Sequence, residues 1–489
     1  MKKILGISGL YHDSAAALIK DGEIIAAAQE ERFTRKKYDP SFPINAIKFC
    51  LEWSGFKIEE LDAIIFYDKP LLKFERLLET YYAFSPKGVK QFLHSIPVWI
   101  NEKIMLKKLI WKNLKKIENF KKRPKLLFAE HHLSHAASAF YPSPFEKAAI
   151  LTIDGVGEWA TASICIGQKN KIQLLKEMHF PHSVGLLYSA FTYYLGFKVN
   201  SGEYKLMGLS PYGNPFSKRT KSFIKKIKNE ILEIFDDGSI WLNQDYFNYA
   251  TGLRMVNEKK WEKLFGFPRR MPESEIKQHH CDLAYAIQQI TEEIIIKMAI
   301  HTKEVTGLEN LCLAGGVALN CVANGKLLHK KIFKKIWIQP AAGDAGGALG
   351  AALAGYYIYF EKNREISPFM DNMKGSFLGP EYSWLDIEKT AKKFKANYIK
   401  YDDFDKLCKD VAKLINEGKV IGWFQGRMEW GPRALGNRSI LADARNPEMQ
   451  KKLNLKIKYR ESFRPFAPSV LFEDLEEYFD LNSRCLKYI

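Results

Sequence analysis

Residues 148–178 read AAILTIDGVGEWATASICIGQKNKIQLLKEM. Three apolar stretches, AAILTID, WATASICIG and IQLLKEM, are separated by a glycine-rich loop and a short polar turn. Apolar runs of this length between turn residues read as strands, and their spacing reads as a three-stranded meander. The amino terminus repeats the plan. KILGIS (3–8), the loop GLYHD, SAAALIK (14–20), Asp21-Gly22 and EIIAAAQEE follow in the same order with similar lengths. Asp-Gly between two apolar runs is a strong hairpin signal. The chain therefore carries an internal structural repeat.

The residues after the second copy alternate between helix and strand. Residues 276–305 have helical periodicity, LCLAG reads as a buried strand, ALNCVANGKLLHK as a helix, IWIQP as a strand and AGGALGAALAGYYIYF as a small-residue helix. Two units of this kind describe an α/β fold of two lobes. The cleft between them is expected to be lined by GLYHD, DGVGE, AGGVALN and AAGDAGG. Glycine loops after strands let backbone N–H groups approach a phosphate, so the cleft is expected to take a nucleotide. Domain limits are expected at 1–360, with a linker over 361–383 that lacks periodicity, and a second domain over 384–489. That domain opens with the helix DIEKTAKKFKANYIKY, then DKLCKDVAKLINEG and the strand KVIGWF.

At 489 residues the chain exceeds what one core supports. Its 46% hydrophobic and 27% charged content is an ordinary globular balance. No window of 18 apolar residues is free of charge, so no membrane span is expected. The apolar amino terminus is not a signal peptide, because His12 and Asp13 interrupt it. Seven scattered cysteines, none in a CxxC pair, fit a reducing cytoplasm and exclude a zinc-thiolate site. The net charge of +18 admits nucleic acid or an anionic substrate as partner. Much of it lies in NEKIMLKKLIWKNLKKIENFKKRPK (101–125), which reads as a basic amphipathic helix packed on its own domain.

EHHLSHAASAFYPSPF (130–145) holds three of the eleven histidines. His131 and His135 are four apart and share one helix face, while His132 points elsewhere. Alone, the pair is a weak signal. Asp154 and Asp344, each just after a strand, would face the same cleft. Two imidazoles and two carboxylates suit Fe(II), Mn(II) or Zn(II) better than Mg(II), with open positions left over. Arg427, Arg433, Arg438, Arg445, Lys456, Lys458, Arg460 and Arg464 crowd the second domain around WGPRALG and FRPF, a composition suited to polyphosphate.

The segments LGISGLYHDSAAALIKDGEIIAAAQEERFTRKK, EHHLSHAASAFYPSPF, DGVGE, AGGVALN, GDAGGALGAA, WFQGRMEWGPRALGNRSILADAR and ESFRPFAP resemble the NodU/CmcH-type O-carbamoyltransferases, from residue 3 to about residue 480. The resemblance implies a first domain like the actin/sugar-kinase/Hsp70 superfamily and a second, YrdC-like domain. It implies that carbamoyl phosphate and ATP, with Mg, form carbamoyl-adenylate, and that a hydroxyl of a small-molecule acceptor then takes the carbamoyl group. It assigns an Fe(II)-type ion to His131, His135, Asp154 and Asp344. Nucleotide or carbamoyl-adenylate contacts fall to Lys37, Gly316 and Asn320, and phosphate contacts to Arg433, Lys458 and Arg464. His12 corresponds to the base that takes the acceptor's proton, a range of pH in which histidine titrates. Family members continue past the RCLKYI with which this sequence ends, so the second domain is expected to be incomplete. Rival readings are a threonylcarbamoyl-type transferase on tRNA and a nucleotide-binding pseudoenzyme. No membrane or nucleic-acid partner is expected, and a homodimer is allowed.

Overall fold

In a computed structural model, residues 1–89, 92–93, 105–367 and 371–480 are described. The chain divides into two compact units between Asn372 and Met373.

The first unit is built on two five-stranded sheets. One contains β1 (Lys3–Ser8), β2 (Ala15–Lys20), β3 (Glu23–Gln29), β4 (Ala63–Phe66) and β5 (Lys125–Phe128), in the order β3-β2-β1-β4-β5. The other contains β6 (Lys147–Ile153), β7 (Ala160–Gln168) and β8 (Lys171–His179), and then, after a small hairpin of β9 (Leu232–Ile234) and β10 (Ile240–Leu242), β11 (Asn310–Ala314) and β12 (Lys335–Ile338). Its order, β12-β11-β6-β7-β8, is the first sheet's order read from the opposite edge. In both, three antiparallel strands are followed by two parallel ones. This duplicated α/β topology has the two lobes expected from the repeat in the sequence, and it is that of the actin/sugar-kinase/Hsp70 class which the family resemblance implied. Asp21 and Gly22 both adopt positive φ, 48° and 85°, as the tight β2–β3 hairpin demands.

β1 is buried at every position, so its sequence shows no alternation of polar and apolar residues. Each sheet takes part of its cover from an exchanged helix. His131–Phe140 follows β5 of the first sheet but packs on β6, β7 and β11 of the second. Asp344–Ala354 follows β12 of the second sheet but packs on β1, β2 and β4 of the first. The two helices also pack on each other. Glycine permits this closeness. A Cβ on Gly350 would lie 1.7 Å from the Ser134 carbonyl oxygen, and one on Gly6 would lie 1.8 Å from that of Ala348.

Of the basic stretch 101–125, residues 101–104 lie outside the described residues; Leu106–Ile117 is helical and buries Leu106, Ile110 and Leu114. Arg364 donates to the carbonyls of Phe140, Tyr141, Ser143 and Phe145 at 2.8, 3.0, 2.7 and 2.7 Å. It thereby closes the carboxyl end of the His131–Phe140 helix.

The second unit contains the helices Trp384–Lys393 and Phe404–Asn416 and an antiparallel pair, β13 (Ile421–Phe424) and β14 (Arg438–Leu441). The first helix stops short of the sequence expectation, which ran on to Tyr401. Lys395 turns left-handed at φ 50°, and the Ala396 N–H closes back on the Ala391 carbonyl at 2.9 Å. Neither helix buries a residue among the described residues.

Candidate metal centre

The His131–Phe140 helix begins just after β5, at the carboxyl end of the first sheet's parallel strands. Its first N–H is not capped by the adjacent Glu130. Glu158, from the β6–β7 loop, accepts it with both oxygens at 3.0 and 3.2 Å and also accepts the Lys69 N–H at 2.7 Å. A carboxylate suits the positive end of a helix, and here it ties that helix to the loop carrying Asp154. His131 and His135 then fall on one face, both buried. Asp344 opens the other exchanged helix.

These four side chains converge. One ligand atom from each lies within 4.8 Å of the others. His131 Nε2 is 3.1 Å from Asp154 Oδ2, 3.1 Å from His135 Nε2 and 3.7 Å from Asp344 Oδ1. His135 Nε2 is 3.8 Å from Asp154 Oδ2 and 3.9 Å from Asp344 Oδ1. Four ligands at about 2.1 Å from one ion stand roughly 3.0–3.5 Å apart, so small adjustments fit the set to a divalent transition metal. The Nε2 atoms face the carboxylates, while both Nδ1 atoms are buried without a hydrogen-bond partner among the described residues.

Electrostatics agree. Burial opposes protonation of His131, but Asp344 and Asp154 outweigh it and hold its pKa above the ordinary value. Burial likewise opposes ionisation of Asp154, yet hydrogen bonds from His131 and His135 hold it well below the carboxylate range. Asp344 is also lowered against burial, by His12 and His131. His132 is excluded from the cluster: its Nδ1 meets Thr152 Oγ1 at 2.7 Å, and burial, then the neighbouring His131 and His135, push its pKa well down.

His12 sits at the rim, its Nε2 3.6 Å from Asp344 Oδ2 and its ring 4.7 Å from that of Tyr11. Lys37 is exposed, its ammonium 6.0 Å from the Tyr204 ring. The Gly316 N–H donates to Asp154 Oδ1 at 2.8 Å. Asn320 is buried; its side chain caps the Cys321–His329 helix through the Ala323 N–H and pairs with Gln288 by two contacts of 3.1 Å. In the second unit Arg433 and Lys458 are exposed, and Arg464 is buried with Nη1 3.3 Å from Glu461. Part of the arginine cluster serves the protein itself. Arg427 donates to the Leu378 and Gly379 carbonyls, Arg445 forks onto Asp443, and Arg460 donates to Asn454.

Two residues of the centre carried no sequence assignment, Glu158 and Tyr67. Glu158 lay in the quoted DGVGE loop. Tyr67 directly follows β4, at the edge of the parallel strands where site residues collect in α/β sheets; that position was its one signal.

The Carbamoyltransferase N-terminus family model matches residues 3–353 and the Carbamoyltransferase C-terminus model residues 412–489. The chain belongs to the carbamoyltransferase family. The enzyme class read from the sequence is thereby shown. The C-terminal match runs to residue 489 and lends no support to the expectation of an incomplete second domain. Among relatives, the chain is 56% identical over 486 residues to the uncharacterised protein sll1178 of Synechocystis sp., covering 99% of this chain and 78% of that one. It is 37% identical over 473 residues to the nodulation protein NolNO of Sinorhizobium fredii, covering 96% of this chain and 64% of that one. HypF of T. kodakarensis matches as a structure with a TM-score of 0.38 and 14% identity, over 74% of this chain and 48% of that one. The fold assignment rests on the strand order instead. No helix of the described residues is long and apolar enough to cross a membrane.

Proposed function

We propose that this carbamoyltransferase couples two reactions. The second, YrdC-like unit forms carbamoyl-adenylate from carbamoyl phosphate, water and ATP with release of phosphate and pyrophosphate, and the first unit passes the carbamoyl group to a hydroxyl of a small-molecule acceptor. The observation that carries the reading is the buried His131, His135, Asp154 and Asp344 set with His12 at its rim, in a chain of this family. In the transfer step the acceptor oxygen attacks the carbamoyl carbon, the bond from that carbon to the AMP phosphate oxygen breaks, and AMP leaves with the electron pair. His12 takes the acceptor's proton; its distance from Asp344 lets that carboxylate offset the charge His12 gains.

His131, His135, Asp154 and Asp344 would hold the divalent ion, Fe(II) before Mn(II) or Zn(II). When bound it supplies electrostatic stabilisation of charge on the carbamoyl and phosphate oxygens. Lys37, exposed in the same unit, would bind phosphate of the adenylate. Gly316 and Asn320 would contact the nucleotide or carbamoyl-adenylate, Gly316 with its N–H already given to Asp154 and Asn320 with its amide paired to Gln288. Arg433, Lys458 and Arg464 would hold carbamoyl phosphate and MgATP in the second unit, over domain limits of 1–360 and 384–489. The test is incubation with ATP, carbamoyl phosphate and Fe(II). Mass spectrometry should find carbamoyl-adenylate and, with a panel of hydroxylated acceptors, an O-carbamoyl product. ATP binding without pyrophosphate release would overturn the reading.

A further inference from the structure

We infer that Tyr67 is a positioning residue of the metal centre, restricting Asp344 to ligation through one oxygen. The inference rests on reading the four-residue set as a metal site. The Tyr67 phenol donates to Asp344 Oδ2 at 3.1 Å. That oxygen also faces His12 at 3.6 Å, while Oδ1 faces His131 and His135. Asp154 is divided in the same way: Oδ1 accepts the Gly316 N–H at 2.8 Å and Oδ2 meets His131. Each carboxylate thus has one oxygen engaged by a protein donor and one turned to the centre. With two imidazoles, that makes four ligand atoms, and a transition-metal ion held by them would keep room for substrate oxygens.

Tyr67 is built to keep this geometry. It is wholly buried, its N–H donates to the Ile7 carbonyl at 3.0 Å, and its carbonyl accepts the Ser134 hydroxyl at 3.0 Å. Its ring lies 5.3 Å from that of His131, and a Cβ on Gly347 would stand 2.7 Å from it, so the ring has no room to turn away. Without the phenol, Asp344 Oδ2 loses its donor, and the carboxylate is free to rotate, so that Oδ1 is no longer held on the centre.

The experiment titrates metal-free wild type, Tyr67→Phe and Tyr141→Phe with Fe(II) under anaerobic conditions, against a competing chelator, and records the melting temperature of each metal-free protein. Tyr141→Phe controls for loss of a buried phenol, since its hydroxyl donates to the Asn170 carbonyl. Outer-shell partners of metal ligands are worth about 10–100-fold in affinity. Tyr67→Phe should bind Fe(II) about 10–100-fold more weakly while its metal-free melting temperature stays with that of Tyr141→Phe, which should keep wild-type affinity. Absence of binding by wild type overturns the centre itself. Wild-type binding with unchanged affinity in Tyr67→Phe overturns the Tyr67 assignment alone. If Tyr67→Phe does not fold, X-ray absorption on iron-loaded wild type decides: a carboxyl-carbon shell at the short distance of a two-oxygen chelate refutes the inference, and its absence upholds it.

Discussion

Replacing Gly350 with alanine tests how the two exchanged helices hold the centre. The new Cβ would stand 1.7 Å from the Ser134 carbonyl oxygen, whereas real Cβ contacts stay beyond 3.0 Å. The helices must separate by about 1.3 Å, the difference between those two distances. Asp344–Ala354 has little room to retreat, because it lies so close to β1 on its other side that a Cβ on Gly6 would stand 1.8 Å from the Ala348 oxygen. His131 and His135 ride on one helix and Asp344 on the other, so the separation opens the ligand set directly. Overpacking costs about 1–3 kcal/mol, and a rigid backbone contact on both sides places this site near 3 kcal/mol. Metal sites need ligands placed within about 0.5 Å, so affinity should fall at least about tenfold. Gly325 is the control. It lies in the Cys321–His329 helix with nothing within 4 Å of its notional Cβ, and Gly325→Ala should be neutral or stabilise by about 0.5–1 kcal/mol. Denaturant melts and chelator-competition titrations read both quantities. A Gly350→Ala protein with wild-type stability and metal affinity would refute the account of helix packing.

Other outcomes follow from single contacts. Arg364→Ala should destabilise the protein by about 3 kcal/mol or more, because hydrogen bonds from a charged donor are worth roughly 1.5–3 kcal/mol each and four carbonyls lose theirs; Arg364→Lys should rescue little, since an ammonium cannot reproduce the fork, as urea melts would show. His280 is held neutral by burial, then by His279, Arg270 and Lys277, with its pKa pushed down to about 4, and its Nδ1 accepts the Lys277 N–H at 2.9 Å. Its contribution is therefore complete above the unfolded value of about 6.5 and lost as pH falls towards about 4; His280→Gln should flatten the acid limb of a stability–pH curve. His131→Ala, His135→Ala, Asp154→Asn and Asp344→Asn should each abolish stoichiometric metal binding, measured by metal analysis after dialysis, while His132→Gln should retain it.

The sequence made some of this legible for a clear reason. The HxxxH spacing is a helix period, and Asp154 and Asp344 follow apolar runs whose ends define a sheet edge, so local pattern alone put all four near one cleft. The repeated meander announced two equivalent sheets. Other features are relations between distant residues, and no periodicity encodes them. The phenol of Tyr67 meets a carboxylate 277 residues away. Glu158 caps a helix that begins 27 residues before it. The apolar faces of the exchanged helices said that something covers them, and not which sheet. Lys395 ended its helix early although its neighbours are good helix formers, because the left-handed closure is set by backbone geometry.

The crossing of the two helices also bears on how the first unit can be divided. Cut in the loop after the His131–Phe140 helix, each fragment would keep a sheet but carry away the cover belonging to the other. Neither piece would have the exchanged helix on its own sheet, so the two halves are expected to become fully structured only when mixed, as a split protein that reassembles. Through this trade the two repeats form a single folding partnership with no internal seam.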